Sequence, residues 1–391
     1  MTSSQIPAHR PFRRTGMLLG ALAAIAAVAI PATAADAAPK QAKKGQVTVM
    51  TRNLFLGADL GPGLAATNFQ ELANGAGVIL NQVDANRFRL RAKGLAAEIL
   101  RKKPDLVGLQ EVSHWRTDEC GVPLPVDAPE TRYDYLRLLL EQLNKGEKRY
   151  EVVVSQPEFD FEVPVNVDGD EGTGVPVPAL GIQGCELNGR LTMRDVILAK
   201  REGVKTTAAT GGHFENLLAV EPGSFPVDVT RGWTRANVKI EGVPKFRFVN
   251  THLEAFDDET VVPSIRSQQA GELIAPGGPA TGRLPVVLVG DLNSDVRTEV
   301  QDGDAQAFQA LLDAGFRPRS TWEPLSCCLS ADVLSEDGGG EVTQFDHKVD
   351  HVMTDTPDRV RLIRSSVTGR QPVNGFWSSD HAGVVSTLKV R

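Results

Sequence analysis

Cysteine is scarce in this sequence: Cys120, Cys185, Cys327 and Cys328 are the four in 391 residues. None stands in a CxxC or a Cys/His spacing, which argues against a zinc module or a thiol redox centre and favours structural disulfides. Four cysteines allow three complete pairings. Neighbouring Cys327 and Cys328 are poorly placed to bridge each other, which points to bonds with Cys120 and Cys185. Long apolar runs are also missing. The longest, Met17 to Ile30, falls short of the roughly 20 residues that cross a bilayer. No internal repeat and no clear linker divides the chain. With 41% apolar and 23% charged residues, neither a disordered chain nor a fibre is indicated.

The run at Met17 follows Arg10, Arg13 and Arg14 and precedes the small-residue sequences Ala32 to Ala34 and Ala35 to Ala37. A basic region, a short apolar core and a small-residue cleavage site make an export signal, and Arg13-Arg14 before Gly16 is similar to a twin-arginine signal. We expect residues 1–34 to be removed and 35–46 to be a flexible lead-in. One secreted, monomeric catalytic domain then spans 47–391, with insertions near 57–85 and 157–190. The formal charge of -7 becomes -10 when three arginines leave with the signal.

Along that domain, strand and helix patterns alternate, which indicates an α/β class. Strands are expected at Val47 to Met50, Asp105 to Glu111, Tyr150 to Val154, Met193 to Ala199, Lys245 to Glu254 and Pro285 to Asp291. Three short C-terminal strands cover Lys348 to Met353, Arg359 to Ser365 and Gly383 to Leu388. Helices are expected at Asn86 to Lys102, Arg132 to Leu143, Ile265 to Ile274 and Ala305 to Ala314. Residues 57–85 read as a loop carrying short helices, and Pro157 to Asn188 as insertion.

Several apolar strands end in residues that do not suit a core: Asn53, Glu111, Asn250 with His252, Asp291 with Asn293, and Asp350. Ser379-Asp380-His381 stands just before the last strand. Strand ends in α/β proteins converge on clefts, and the collected groups form a coherent chemistry. Glu111, with Asn53 beside it, suits a hard divalent cation. His381 beside an orienting carboxylate suits a general base. His252, Asn293 and the cation suit neutralisation of a phosphate in its transition state. Asp195 reads as a turn cap, and His347 with His351 as a surface or core pair.

These motifs, in order, are TRN ending at Asn53, LQE at Glu111, NTHLE around His252, GDLNSD from Gly290, KVDHV around Asp350 and SSDH ending at His381. Together they resemble the endonuclease/exonuclease/phosphatase family, deoxyribonuclease I-like, which includes bacterial sphingomyelinases of the phospholipase C type. The resemblance implies a four-layer sandwich of two mixed β-sheets flanked by helices. It implies a Mg²⁺ (or Mn²⁺/Ca²⁺) site at Asn53, Glu111 and Asp380, and catalytic His252, Asp291, Asn293, Asp350 and His381. Either Asp291 or His381 serves as the base. Arg194, Asn250 and Trp377 are candidates for binding substrate.

Charge bears on the substrate. Nucleic-acid binding rests on clustered Lys and Arg, whereas Pro157 to Glu186 carries seven acids and no basic residue. A phospholipase C or sphingomyelinase-like phosphodiesterase, acting on a phosphate ester such as a phospholipid at a membrane surface, is the first expectation. A broad phosphatase or small-phosphodiester hydrolase, a secreted endonuclease and an inactive phosphate- or lipid-binding module are the alternatives.

Overall fold

The computed structural model describes residues 45–121, 128–256, 261–295, 297, 305–334, 344–373 and 375–391. The expected leader and almost all of the lead-in lie outside the described residues. The first half of the chain runs β1 (Gln46–Asn53), α1 (Gly61–Leu64), α2 (Phe69–Ala85), α3 (Phe88–Lys102), β2 (Leu106–Gln110), β3 (His114–Glu119), β4 (Glu130–Asp134), α4 (Tyr135–Leu143), β5 (Tyr150–Val165), β6 (Val175–Val177), β7 (Ile182–Cys185) and β8 (Leu187–Lys200). The second half runs β9 (Val204–His213), β10 (Leu218–Val220), β11 (Val227–Val229), β12 (Gly232–Ile240), β13 (Val243–His252), α5 (Ile265–Ile274), β14 (Val286–Asp291), α6 (Gln306–Asp313), β15 (Arg317–Pro318), β16 (Asp350–Thr354), β17 (Val360–Thr368) and β18 (Gly383–Val390).

Two mixed sheets face each other. One has the order β17-β18-β1-β2-β8-β3-β4 with β5 paired to β8, and the other β15-β16-β14-β13-β12-β9. The β1–β2 and β13–β14 pairs are parallel and central, and each of these four strands has a buried run, as strands covered on both faces require. Alternation assigns Val47, Val49, Leu106 and Ile197 of the first sheet to the space between sheets, where they meet Phe246, Phe248, Val287 and Val289 of the second. The other parity faces the helices. Met50, Val107 and Leu198 pack with Leu95, Ile99 and Leu139 of α3 and α4; Leu288 and Met353 pack with Leu273 and Leu311 of α5 and α6. The expected sandwich is therefore the observed one.

Local boundaries differ in instructive places. Residues 69–85 form one 17-residue helix, not short pieces. Asn68 caps it by accepting from Glu71 N, while Glu71 reaches back to Thr67, a reciprocal cap that the Gly-containing stretch obscured. The helix expected from Arg132 begins only at Tyr135, where Asp134 caps it. The strand expected at Tyr150 to Val154 continues to Val165, past Pro157 at a register shift, so the insertion is confined to the residues beyond it. The cysteine expectation is corrected as well. Cys120 bonds Cys185, and Cys327 bonds Cys328 across Cα atoms only 3.0 Å apart. Among the described residues no helix is long and apolar enough to cross a membrane.

Candidate active site

The parity that fills the inter-sheet space with Val, Leu and Phe continues to the strand ends, where the residues turn polar. On β1 the inward set is Val47, Val49, Thr51 and Asn53; on β13 it is Phe246, Phe248, Asn250 and His252; on β14, Val287, Val289 and Asp291. The strand pairing then places His252 beside Asp291 and Asp291 beside Asp350. Strands far apart in sequence thus deliver their polar ends to one end of the sandwich.

Glu111 follows β2 with a φ of 54°, Asn293 follows β14 with a φ of 45°, and Phe55 after β1 has a φ of 61°. Such backbone costs on the order of 1–3 kcal/mol per residue and concentrates at functional sites. Here it turns the Glu111 side chain into the cluster. Its Oε2 accepts from Leu56 N at 2.6 Å and its Oε1 from Asn53 Nδ2 at 2.9 Å. Asn53 Nδ2 also donates to Asp291 Oδ2 at 3.0 Å, and its Oδ1 accepts from Phe55 N. With both ends engaged, Asn53 holds the carboxylates of Glu111 and Asp291 in place.

His381 Nδ1 donates to Asp350 Oδ2 at 3.0 Å, leaving Nε2 facing Asp291 Oδ2 at 3.5 Å. Burial opposes charge on this ring, yet Asp350, Asp291 and Asp380 outweigh it and hold His381 well above the ordinary histidine value. Burial also pushes Asp380 up to about 7, against the pull of His381 and with Glu111 adding to the rise. The backbone here is tied down from below: Ser379 Oγ donates to Asn53 O, and buried Arg52, paired with Glu98 of α3, donates to the carbonyls of Asn53 and His381.

His252 is set differently. Arg231 donates from Nη1 to His252 Nδ1 at 3.1 Å and pairs with buried Glu254. A guanidinium has no acceptor, so Nδ1 accepts and the neutral ring carries its proton on Nε2. That Nε2 faces Asp291 at 3.7 Å and Glu111 at 4.0 Å. Burial and Arg231 lower the His252 pKa to about 3.

Asp291, Asp350 and His381 offer ligand atoms within 4.8 Å of one another, and buried Asp350 Oδ1 has no hydrogen-bond partner among the described residues. Glu111 and Asp380 add oxygen donors beside them. A crowded oxygen donor set with an orphaned carboxylate oxygen fits a hard divalent cation. Above Glu111 and Asp380 opens a cleft of about 470 Å³ with mostly apolar walls, including Phe55, Leu60, Phe159 and Phe256. Cys327 Sγ lies 3.4 Å from His381 Nε2, so the segment carrying it walls the site.

The three candidates for binding substrate have defined surroundings. Arg194 is held by the carbonyls of Val112 and Ser113 and by Asp134, which fixes it as a strut between β8 and the start of α4. Asn250 lies between the sheets, accepting from Gln110 and donating to Leu109 O and Thr234. Trp377 packs edge-on to Phe345 in a small apolar cluster. The Asn293 side-chain amide donates to Leu253 O, while its backbone N donates to Asp291. His347 and His351 have separate partners: His351 is buried against Ser294 O and His347 pairs with Asp346.

The strand patterns gave no sign that Arg231 would bond His252, or that Glu254 would hold Arg231. Also missed was the buried pair Glu158 and Asp195, whose carboxyls burial raises well above the ordinary range. Asp195 shares the inter-sheet parity of Ile197 and Ala199, a signal that its position in the strand contained.

A family model described as the endonuclease/exonuclease/phosphatase family matches residues 72–381. The chain belongs to that family. Among solved structures, an endonuclease/exonuclease/phosphatase from Bacteroides vulgatus is 15% identical with a TM-score of 0.51, covering 88% of this chain and 99% of its own. One from Beutenbergia cavernae is 18% identical with a TM-score of 0.48, covering 88% and 72%. A mannosyl-6-phosphatase from Bacteroides thetaiotaomicron is 14% identical with a TM-score of 0.47, covering 88% and 99%. A comparison with curated proteins finds none that matches. The family and the donor cluster together support a metal-dependent phosphoric ester hydrolase.

Proposed function

We propose that this chain is an exported phosphodiesterase of the phospholipase C or sphingomyelinase type. One observation carries the choice of substrate: among the described residues lining the cleft beside Glu111 and Asp380, Arg231 is the single basic side chain and apolar residues make most of the wall. A polynucleotide would need several phosphate contacts from such a surface, whereas one phosphodiester carrying a hydrophobic substituent needs one charged end and an apolar wall.

Glu111 and Asp380, with the Asp291–Asp350 carboxylates beside them, would hold the cation, for which Mg²⁺ suits the oxygen donors; when bound it withdraws charge from the phosphoryl oxygens. His381 Nε2 takes the proton of a water whose oxygen forms the new bond to phosphorus. The bond from phosphorus to the leaving oxygen breaks, and that oxygen gains a proton. Asp350 fixes the His381 ring so that Nε2 carries the lone pair. His252 donates its Nε2 proton as a hydrogen bond to the developing phosphoryl charge, and Arg231 keeps it in that tautomer.

The test compares sphingomyelin, phosphatidylcholine, plasmid DNA, bis-p-nitrophenyl phosphate and p-nitrophenyl phosphate, each with Mg²⁺, Ca²⁺ or EDTA. Lipid headgroup release without DNA nicking, abolished by EDTA and by Glu111→Ala, is expected. DNA nicking without lipid release overturns the reading, and turnover of p-nitrophenyl phosphate alone reassigns the chain as a monoesterase.

A further inference from the structure

A second cavity adjoins the catalytic cleft. It shares four lining residues with it, Leu60, Leu64, Phe159 and Leu191, so the two adjoin across these side chains. The branch runs between helices α1 and α2 on one side and strands β5 and β8 on the other, roofed by the β10–β11 hairpin. That hairpin is anchored: Gly223 N donates to Ala66 O and Ser224 Oγ to Thr67 O, which ties the roof to the turn between α1 and α2. Among the described residues its walls carry no ionisable side chain, and the one polar side chain there, the Trp115 indole, already donates to Leu56 O at 2.8 Å. The branch is also small, about 90 Å³ beside the 470 Å³ of the cleft.

We infer that this branch takes a hydrocarbon chain on the phosphodiester substrate, drawn into the protein one molecule at a time. The inference rests on the phosphodiesterase reading of the adjoining site and extends it to how the substrate is selected. A wall without a free donor or acceptor offers a polar headgroup or a sugar nothing in exchange for its water, while each methylene moved into it is stabilised. The shared side chains of Leu60 and Phe159 put the branch next to the cleft that holds Glu111 and Asp380, where the ester end of the same molecule would react. Selection by chain length then occurs within the enzyme, without requiring a lipid surface.

The experiment uses alkyl p-nitrophenyl phosphodiesters from methyl to decyl, each below its micelle concentration, with the full chain and Mg²⁺. Hydrolysis joins water oxygen to phosphorus and releases p-nitrophenolate, which is read by absorbance. We expect kcat/KM to climb about fourfold per methylene until the branch is full and then to level. Ala76→Phe narrows the branch from α2, and Val227→Trp narrows it from the half-buried roof, where folding is least at risk. Both should collapse the decyl-to-methyl ratio. A flat series in a protein that does hydrolyse the methyl ester overturns the inference and leaves the phosphodiesterase reading standing. So does a climb that both variants leave intact, or one that begins only at the micelle concentration. Failure to hydrolyse any ester of the series with Mg²⁺, Mn²⁺ or Ca²⁺ overturns the phosphodiesterase reading and the inference with it.

Discussion

His252 and His381 lie in one buried cluster and both approach the same oxygen, Asp291 Oδ2, at 3.7 and 3.5 Å. Their protonation is nevertheless opposite, because the other nitrogen of each ring has a different partner. Asp350 accepts from His381 Nδ1, so the ring gains protons readily and, when neutral, exposes a lone pair at Nε2. Arg231 donates to His252 Nδ1, so that ring stays neutral and exposes an N–H at Nε2. The shared carboxylate does not decide the role of either ring; the partner on the far nitrogen does.

The comparison breaks most visibly by substitution at the two rings. His381→Ala is expected to lose about 10²–10⁴-fold in kcat, and His381→Gln should recover none of it, since an amide is no base. His252→Ala is expected to lose about 10²–10³-fold, the cost of one aimed donor, and His252→Gln should recover much of it because its amide N–H replaces Nε2–H. Equal rescue, or equal lack of rescue, at both positions would show that the two rings do not divide the work in this way.

Arg231→Gln sharpens the comparison from the other side. It removes the charge that depresses His252, so NMR titration of the ring should move upward from about 3 toward the ordinary histidine value. An unmoved titration would make Arg231 a support for Glu254 alone. The smallest expected effect is a displaced pH profile. A base must be unprotonated to act, so the raised His381 value puts the acidic limb of log kcat at higher pH than an ordinary histidine would. Asp350→Asn removes the strongest of the raising charges, and the limb should shift toward lower pH. A limb that stays in place would assign it to another group, Asp291 first.

The strand ends are legible in the sequence because their information is local. A run of alternating apolar residues that ends in Asn53, His252 or Asp291 fixes which face each polar group occupies, and the sheet continues that face without interruption. The two-sheet architecture was an implication of the family resemblance that the motifs carry. Boundaries failed where a local signal was overridden: Pro157 did not stop β5, because a register shift absorbs it, and glycines at 75 and 77 did not break α2, because close backbone approaches occupy the space a side chain would take.

What the sequence by itself determined is therefore the set of groups at the catalytic end, since periodicity and short motifs are properties of neighbouring residues. The tertiary structure alone decided how those groups are charged and what stands around them. Arg231 and His252 are 21 positions apart, Asp350 and His381 31, and Cys120 and Cys185 65. The apolar branch is enclosed by residues from α1, α2, β5, β8 and a hairpin beyond residue 217. A partner across that many residues leaves no mark in the local pattern, because the pattern records which face a side chain takes and not what folds against it.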